Sequence, residues 1–351
     1  MTWPNYYKVG SGRRLPLNPN IYALSSDPTY LGYSTYPTLQ AWKAARITGQ
    51  ALDTNAAGEV LLVPKGILHE ETAASAYNDF YIDPASDSTD YFACIIGEDP
   101  NDRSRIQITQ EYDAFATYAV GLHMNKNGRI YDCASGITTS LALPYAFALT
   151  LADNASVAVG CTNNDIIAPN ITVGAVAIMT SGAGPEGSLL ICCALDKSKT
   201  ISVGASPLTG FGLSKGADIA INCVANEAAI GFLSAGAGTP TLVNCCAQGN
   251  SIANFLESPG TFTNTNPADE QGLSFDTDEY TLLVSDGLGL DESANPFYPF
   301  TDDINGVLWG VTWDRGCYNF AGSDVGGGWI EDGDDGWEEL LEILSLSGVI
   351  D

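Results

Sequence analysis

Basic residues are scarce in this chain, and the scarcity is uneven. Its 351 residues carry 42 Asp and Glu against 14 Lys and Arg, a formal net charge of −28, and residues 257–351 hold 21 of those acids with a single base, Arg315. Phosphate backbones need the opposite sign, so no nucleic-acid partner is expected. The acid surplus suits solubility, and it leaves a Ca²⁺ ion or a basic partner open as ligands. No apolar run reaches the roughly 20 residues of a membrane span, so no membrane insertion is expected. Met1-Thr2-Trp3-Pro4-Asn5 has neither the basic nor the apolar region of an export signal. With two histidines, His69 and His123, and no CxxC pair, the chain lacks the usual zinc ligand sets, and no cofactor is expected. It also lacks a G-x-S-x-G elbow, and no Lys-Ser/Thr follows Gly326-Gly327-Gly328 as a phosphate loop requires.

What the chain does have is turn-forming and apolar residues: 37 Gly and 45% apolar against 16% charged, the balance of a folded protein with many turns. Its nine cysteines include the adjacent pairs Cys192-Cys193 and Cys245-Cys246, whose neighbouring Cβ atoms point apart and disfavour a mutual disulfide. Reduced, buried thiols follow, as in a protein assembled in a cytosol. The cysteines also mark a repeat. Segments such as Ile219-Ala220-Ile221-Asn222-Cys223 and Thr241-Leu242-Val243-Asn244-Cys245 alternate apolar residues and end at a Cys. The steps from Cys133 to 161, 192, 223 and 245 are 28, 31, 31 and 22 residues. The position before the Cys holds Asp132, Gly160, Asn222 and Asn244 in other units.

A period of this size signals a solenoid or array, and period-2 alternation without long helical stretches makes its units strands. The expected fold is all-β: a right-handed parallel β-helix over residues 33–320, with regular coils at about 128–256. Stacked coils would place like side chains about 4.8 Å apart in ladders, with Cys as a small buried member.

A solenoid must cover its ends. Tyr36 to Arg46 reads as a short capping helix, with Pro37 in its first turn and Leu39, Trp42 and Arg46 at helical spacing. Residues 270–320 are expected to cap the other end. Beyond them, 321–336 read as an acidic Gly-rich linker, followed by a short amphipathic tail helix with Trp337, Leu340, Leu341 and Leu344 on one face. Two turns are unstable alone, so that face is a candidate docking surface. Residues 1–32, with Trp3, Tyr6, Tyr7, Arg13 and Arg14, read as an N-terminal arm that could seat on a larger assembly.

The stretch Tyr33 to Trp42, with Tyr36-Pro37-Thr38-Leu39-Gln40-Ala41-Trp42 at its end, followed by Gly58 to Gly66, resembles the opening of pectate-lyase-like β-helix proteins of bacteriophages and environmental bacteria. Tyr280-Thr281-Leu282, Asp303-Ile304-Asn305-Gly306 and Trp313-Asp314-Arg315-Gly316-Cys317-Tyr318-Asn319-Phe320 resemble their ending, with departures at Asn305, Arg315 and Asn319. The resemblance implies a β-helix of phage-like origin and, in some members, activity on polysaccharides.

Fold alone does not supply chemistry. Glycoside cleavage needs two carboxylates about 5–10 Å apart, or a base near an acidic sugar proton. Asp165 and Asp196 each stand four residues past a repeat Cys, at 161 and 192, and are the best-placed acid pair to meet on a coil face. The leading expectation is a structural protein of a phage-like virion: a spike, fibre or capsid decoration. It would be assembled in the host cytoplasm as a homotrimer, contacting other virion proteins and surface polysaccharide. A polysaccharide lyase or glycoside hydrolase is the alternative, and a non-viral adhesin the third reading.

Overall fold

The computed structural model describes residues 6–9, 13–16, 19–47, 58–73, 81–82, 92–111, 118–125, 128–152, 156–181, 187–204, 206–269, 273–292, 300, 302–310 and 312–320. They form an all-β structure whose strands lie mostly in three parallel sheets of ten, seven and five strands. The chain visits these in a fixed order. Phe92–Gly97 lies in the ten-stranded sheet, Ser104–Gln110 in the five-stranded and Tyr118–Met124 in the seven-stranded. Arg129–Tyr131, Cys133–Thr139 and Tyr145–Ala152 repeat the circuit, and Val157–Val159, Thr162–Ala168 and Gly174–Ser181 repeat it again. Each strand pairs with its counterpart one circuit away, as Phe147 does with Val120 below and Val176 above. This arrangement is compatible with the expected β-helix.

Register follows from side chains that must face inward. Ile108, Ile137 and Ile166 are mutual neighbours across three circuits and fully buried. Phe211, Phe232 and Phe255 stack with ring centroids 4.8 and 5.4 Å apart. A one-residue slip would turn such rows outward, so the buried face fixes the pairing. The cysteines form one of these rows, with one change from the sequence expectation. Thr162 pairs with Ala194, so Cys193 and not Cys192 follows Cys161 in the row Cys133, Cys161, Cys193, Cys223, Cys245. Cys192 occupies the corner before the row instead. It has φ of 49° beside Asp132 at 53°, Gly160 at 63°, and Asn222 and Asn244 at 51°. Left-handed backbone suits Gly and Asn, and costs other residues about 1–2 kcal/mol. The asparagines also bond along the stack: Asn244 Nδ2 donates to Asn222 Oδ1 at 3.1 Å, and Asn266 Nδ2 to Asn244 Oδ1 at 2.9 Å.

The expected capping helix is shorter than its pattern. It runs Leu39–Trp42, capped by Thr38, whose Oγ1 accepts from Ala41 N at 3.0 Å, and continues as a wider turn over Lys43–Ile47. Pro37 lies ahead of the cap. Leu39, Trp42 and Ile47 enter the interior cluster near the edge strand Ser34–Tyr36.

The ten-stranded sheet is apolar on both faces, as parallel strands covered twice must be. Leu61, Ile95, Ile130, Leu190 and Leu242 point into the interior, while Leu62, Ile96, Tyr131, Val159 and Ile191 point out. The described residues between 273 and 320 cover that outer face. Tyr280, Phe300, Ile304, Trp309, Trp313 and Cys317 are buried in one cluster with the outward row. The segment expected as an end cap is therefore a strap along the side of the stack. The assigned arm also contributes to the stack, since Asn20–Leu24 is a strand of the ten-stranded sheet beside Gly58–Val63. Tyr6–Val9 and Arg13–Pro16 form an antiparallel hairpin.

Candidate functional site

The corner positions hold the strap. Asn222 Nδ2 donates to Gly316 O at 2.8 Å, Asn244 Nδ2 to Leu290 O at 2.9 Å and Asn266 Nδ2 to Leu288 O at 2.6 Å. Where the corner is Asp132, an arginine takes over. Arg13 from the hairpin places Nη2 2.5 Å from Asp132 Oδ1 and Nε 2.7 Å from Oδ2, and its Nη1 reaches Asp302 Oδ2 on the strap at 2.6 Å. Such a bidentate, buried pair is among the stronger charge-assisted contacts. Arg103 Nε donates to Gly160 O at 2.8 Å, and its Nη2 to Asn305 Oδ1 at 3.0 Å and to Ile304 O. Arg315, the lone base of the acidic quarter, bonds Asp286 Oδ2 at 2.6 Å and Pro267 O at 2.9 Å.

The strap carboxylates fold the strap on itself. Asp314 Oδ1 accepts from Ser285 Oγ and from the amides of Asp286 and Gly287, and its Oδ2 from Phe320 N. Asp303 accepts from the amides of Asn305, Val307 and Asn319, yet burial pushes its carboxyl up to about 6. Among the described residues no group of three or more His, Cys, Asp or Glu could hold a metal ion.

The nominated acid pair is not brought together by the pairing. Among the described residues no pairing sets Asp165 opposite Asp196: Thr162 pairs with Ala194, the register then shifts, and pairing resumes at Ile166 with Ile201, while the side chain of Asn163 bonds the backbone of Asp196. Asp165 Oδ1 accepts from Thr200 N at 3.1 Å, whereas Asp196 Oδ1 accepts from Ser198 N at 2.9 Å and Ser198 Oγ at 2.5 Å. Burial raises the Asp196 carboxyl above its usual range. Asp196 serves as a local turn acceptor, and Asp165 accepts from the backbone of the next circuit. The tail-helix residues Trp337, Leu340, Leu341 and Leu344, and Trp3 of the arm, lie outside the described residues. Tyr6 and Tyr7 are placed only as backbone, in the hairpin.

The stack thus presents three kinds of outer face. The ten-stranded sheet lies under the strap. The five-stranded sheet is polar. Glu70 stands beside Gln107, whose Nε2 donates to Thr138 Oγ1 at 2.9 Å and to Asp165 O at 3.0 Å. Gly136 makes room for this amide, because a Cβ there would fall 2.0 Å from Gln107 Oε1. The seven-stranded sheet is different in kind. None of its strands contains an Asp, Glu, Lys or Arg. Tyr118 and Tyr145 stand opposite each other, 47% and 41% exposed, and both rings neighbour Phe147, at 5.6 and 6.1 Å between centroids. Sequence reading passed over these three aromatics and named Arg13 only as one of the basic residues of the arm. The matching strings Tyr118-Ala119-Val120 and Tyr145-Ala146-Phe147 were the available signal for the former.

Comparison with protein families, curated proteins and solved structures finds no match for this chain.

Proposed function

We propose that the chain is a right-handed parallel β-helix serving as a structural rod of a phage-like virion, as a spike, fibre or capsid decoration. In this reading it assembles in the host cytoplasm as a homotrimer and docks on other virion proteins through its terminal segments, presenting its flank to surface polysaccharide. The observation that carries it is the way the stack is closed. Its most apolar outer face is sealed by the chain's own strap, and the hairpin, the stack and the strap meet in one buried ionic cluster at Arg13, Asp132 and Asp302. That construction favours a persistent shape over an open cleft. Nine free, buried cysteines suit assembly in a reducing compartment.

Particles from cells that express the chain, banded on a density gradient and probed with an antibody to it, test the reading. Co-banding of the chain with capsid material is the expected result. Recovery only among small soluble proteins would overturn it. The polysaccharide-cleaving alternative requires that Asp165→Asn and Asp196→Asn each abolish depolymerisation of a glycan that the unmodified chain cleaves.

A further inference from the structure

A chain carrying −28 charges meets copies of itself against strong mutual repulsion, so any face through which copies touch must be free of acids. Among the described strands, only one of the three sheets meets that condition. The ten-stranded sheet is already covered by the strap. The five-stranded sheet carries Glu70, Glu71, Arg105 and Asp165 within its strands. The seven-stranded sheet carries no charged residue in any strand.

Its outward side chains are also of the type that packs between proteins. Val120, Phe147, Val176, Thr209, Ile230 and Ala253 are consecutive neighbours in register, but Val176, Thr209 and Ile230 are only 6, 4 and 7% exposed, so the row is open at its ends, at half-buried Val120 and Phe147 and at Ala253. Beside it, Tyr118, Tyr145 and Val173 are 47, 41 and 48% exposed. The patch that remains open is Tyr118, Tyr145 and Val173 around half-buried Val120 and Phe147; exposed apolar surface of this kind marks an interaction site, and tyrosine is enriched at the cores of protein interfaces.

We propose that the outer face of the seven-stranded sheet around Tyr118, Tyr145 and Phe147 is the face on which copies of this chain pack against one another. The inference rests on the reading of the chain as a homotrimeric rod and supplies its interface. A glycan fits the same surface less well. Sugar hydroxyls need hydrogen-bond partners, and among Tyr118, Val120, Tyr145, Phe147, Val173 and Val176 only the two phenol hydroxyls can provide them. A basic partner would find no carboxylate on these strands.

The test is the mass of the full chain in solution, by light scattering, for the unmodified protein and for Tyr118→Glu and Tyr145→Glu. Both positions are solvent-facing, so folding is checked by circular dichroism, with Thr72→Glu on the five-stranded sheet as the matched control. The expected result is a trimer that becomes monomeric in the two tyrosine variants and remains trimeric in the control. A trimer that persists in both tyrosine variants overturns the interface and leaves the trimeric reading standing. A monomeric unmodified chain overturns both, and glycan binding lost in Tyr145→Glu would then reassign the surface. Should a variant misfold, Tyr145→Cys gives a second readout, because the native cysteines are buried. Its thiol should react with maleimide at least tenfold more slowly than that of Thr72→Cys, and equal rates count against the interface.

Discussion

Arg13 grips Asp132 with two hydrogen bonds, of 2.5 and 2.7 Å, across 119 residues of sequence. Asp132 has φ of 53° and takes the corner place that asparagines hold further along the stack. The same guanidinium reaches Asp302, so one side chain fastens hairpin, stack and strap.

Removing Arg13 leaves two carboxylates buried without their cation, a change that typically costs about 3–5 kcal/mol. Arg13→Ala should lower stability by that order in a denaturant titration. Arg13→Lys should recover only part, because an ammonium cannot fork onto both oxygens of Asp132. A loss under about 1 kcal/mol in Arg13→Ala would show that the cluster does not hold the ends together.

At Asn222 two effects separate. Asn222→Gly keeps easy access to φ of 51° but loses the bonds to Gly316 O and along the stack, whereas Asn222→Ala also meets the left-handed penalty of about 1–2 kcal/mol. Thermal melting should therefore rank the chain as Asn, then Gly, then Ala. Equal loss in the two variants would argue against a left-handed corner.

Asp303 gives a pH prediction. Burial raises its carboxyl to about 6 in the folded state, above the usual carboxylate value near 3.9. The folded state then holds the proton more tightly than the unfolded one. Its contribution is full below about pH 4 and fades as pH rises through about 6. Melting temperature should rise on acidification from pH 7.5 to 5, with a smaller rise in Asp303→Asn. Identical slopes in the two proteins would contradict this placement of Asp303.

The thiols supply a further check. Burial pushes the Cys94, Cys133, Cys192, Cys246 and Cys317 thiols up, away from the reactive thiolate. In native buffer a thiol reagent should label none of the nine cysteines, and in denaturant all nine. Rapid native labelling of Cys317 would mean that the strap is not seated.

Much of the stack was legible in the sequence, because the Cys spacing and the period-2 alternation reflect the side chains that face inward. The row slipped by one residue at Cys192-Cys193, where an adjacent pair offers two choices and even spacing favours the wrong one. The Asp, Gly and Asn residues before the other cysteines held the answer, since all mark a left-handed corner that Cys192 fills in its own circuit. Counting from Cys192 is also what gave Asp165 and Asp196 the same four-residue spacing. The strap was harder to read. Its covering role shows only in the doubly apolar strands Gly58–Val63 and Leu189–Ile191, and an ionic contact spanning from Arg13 to Asp302 leaves no local pattern.

Anomalous scattering from sulfur in a crystal of the unmodified protein tests the central claim of a stacked, registered rod most directly. The expected map shows the sulfurs of Cys133, Cys161, Cys193, Cys223 and Cys245 in one file, successive peaks about 4.8 Å apart, with Cys192, Cys246 and Cys317 grouped to one side beneath the strap. Sulfur peaks scattered without a common file, or a file that contains Cys192 in place of Cys193, would contradict it.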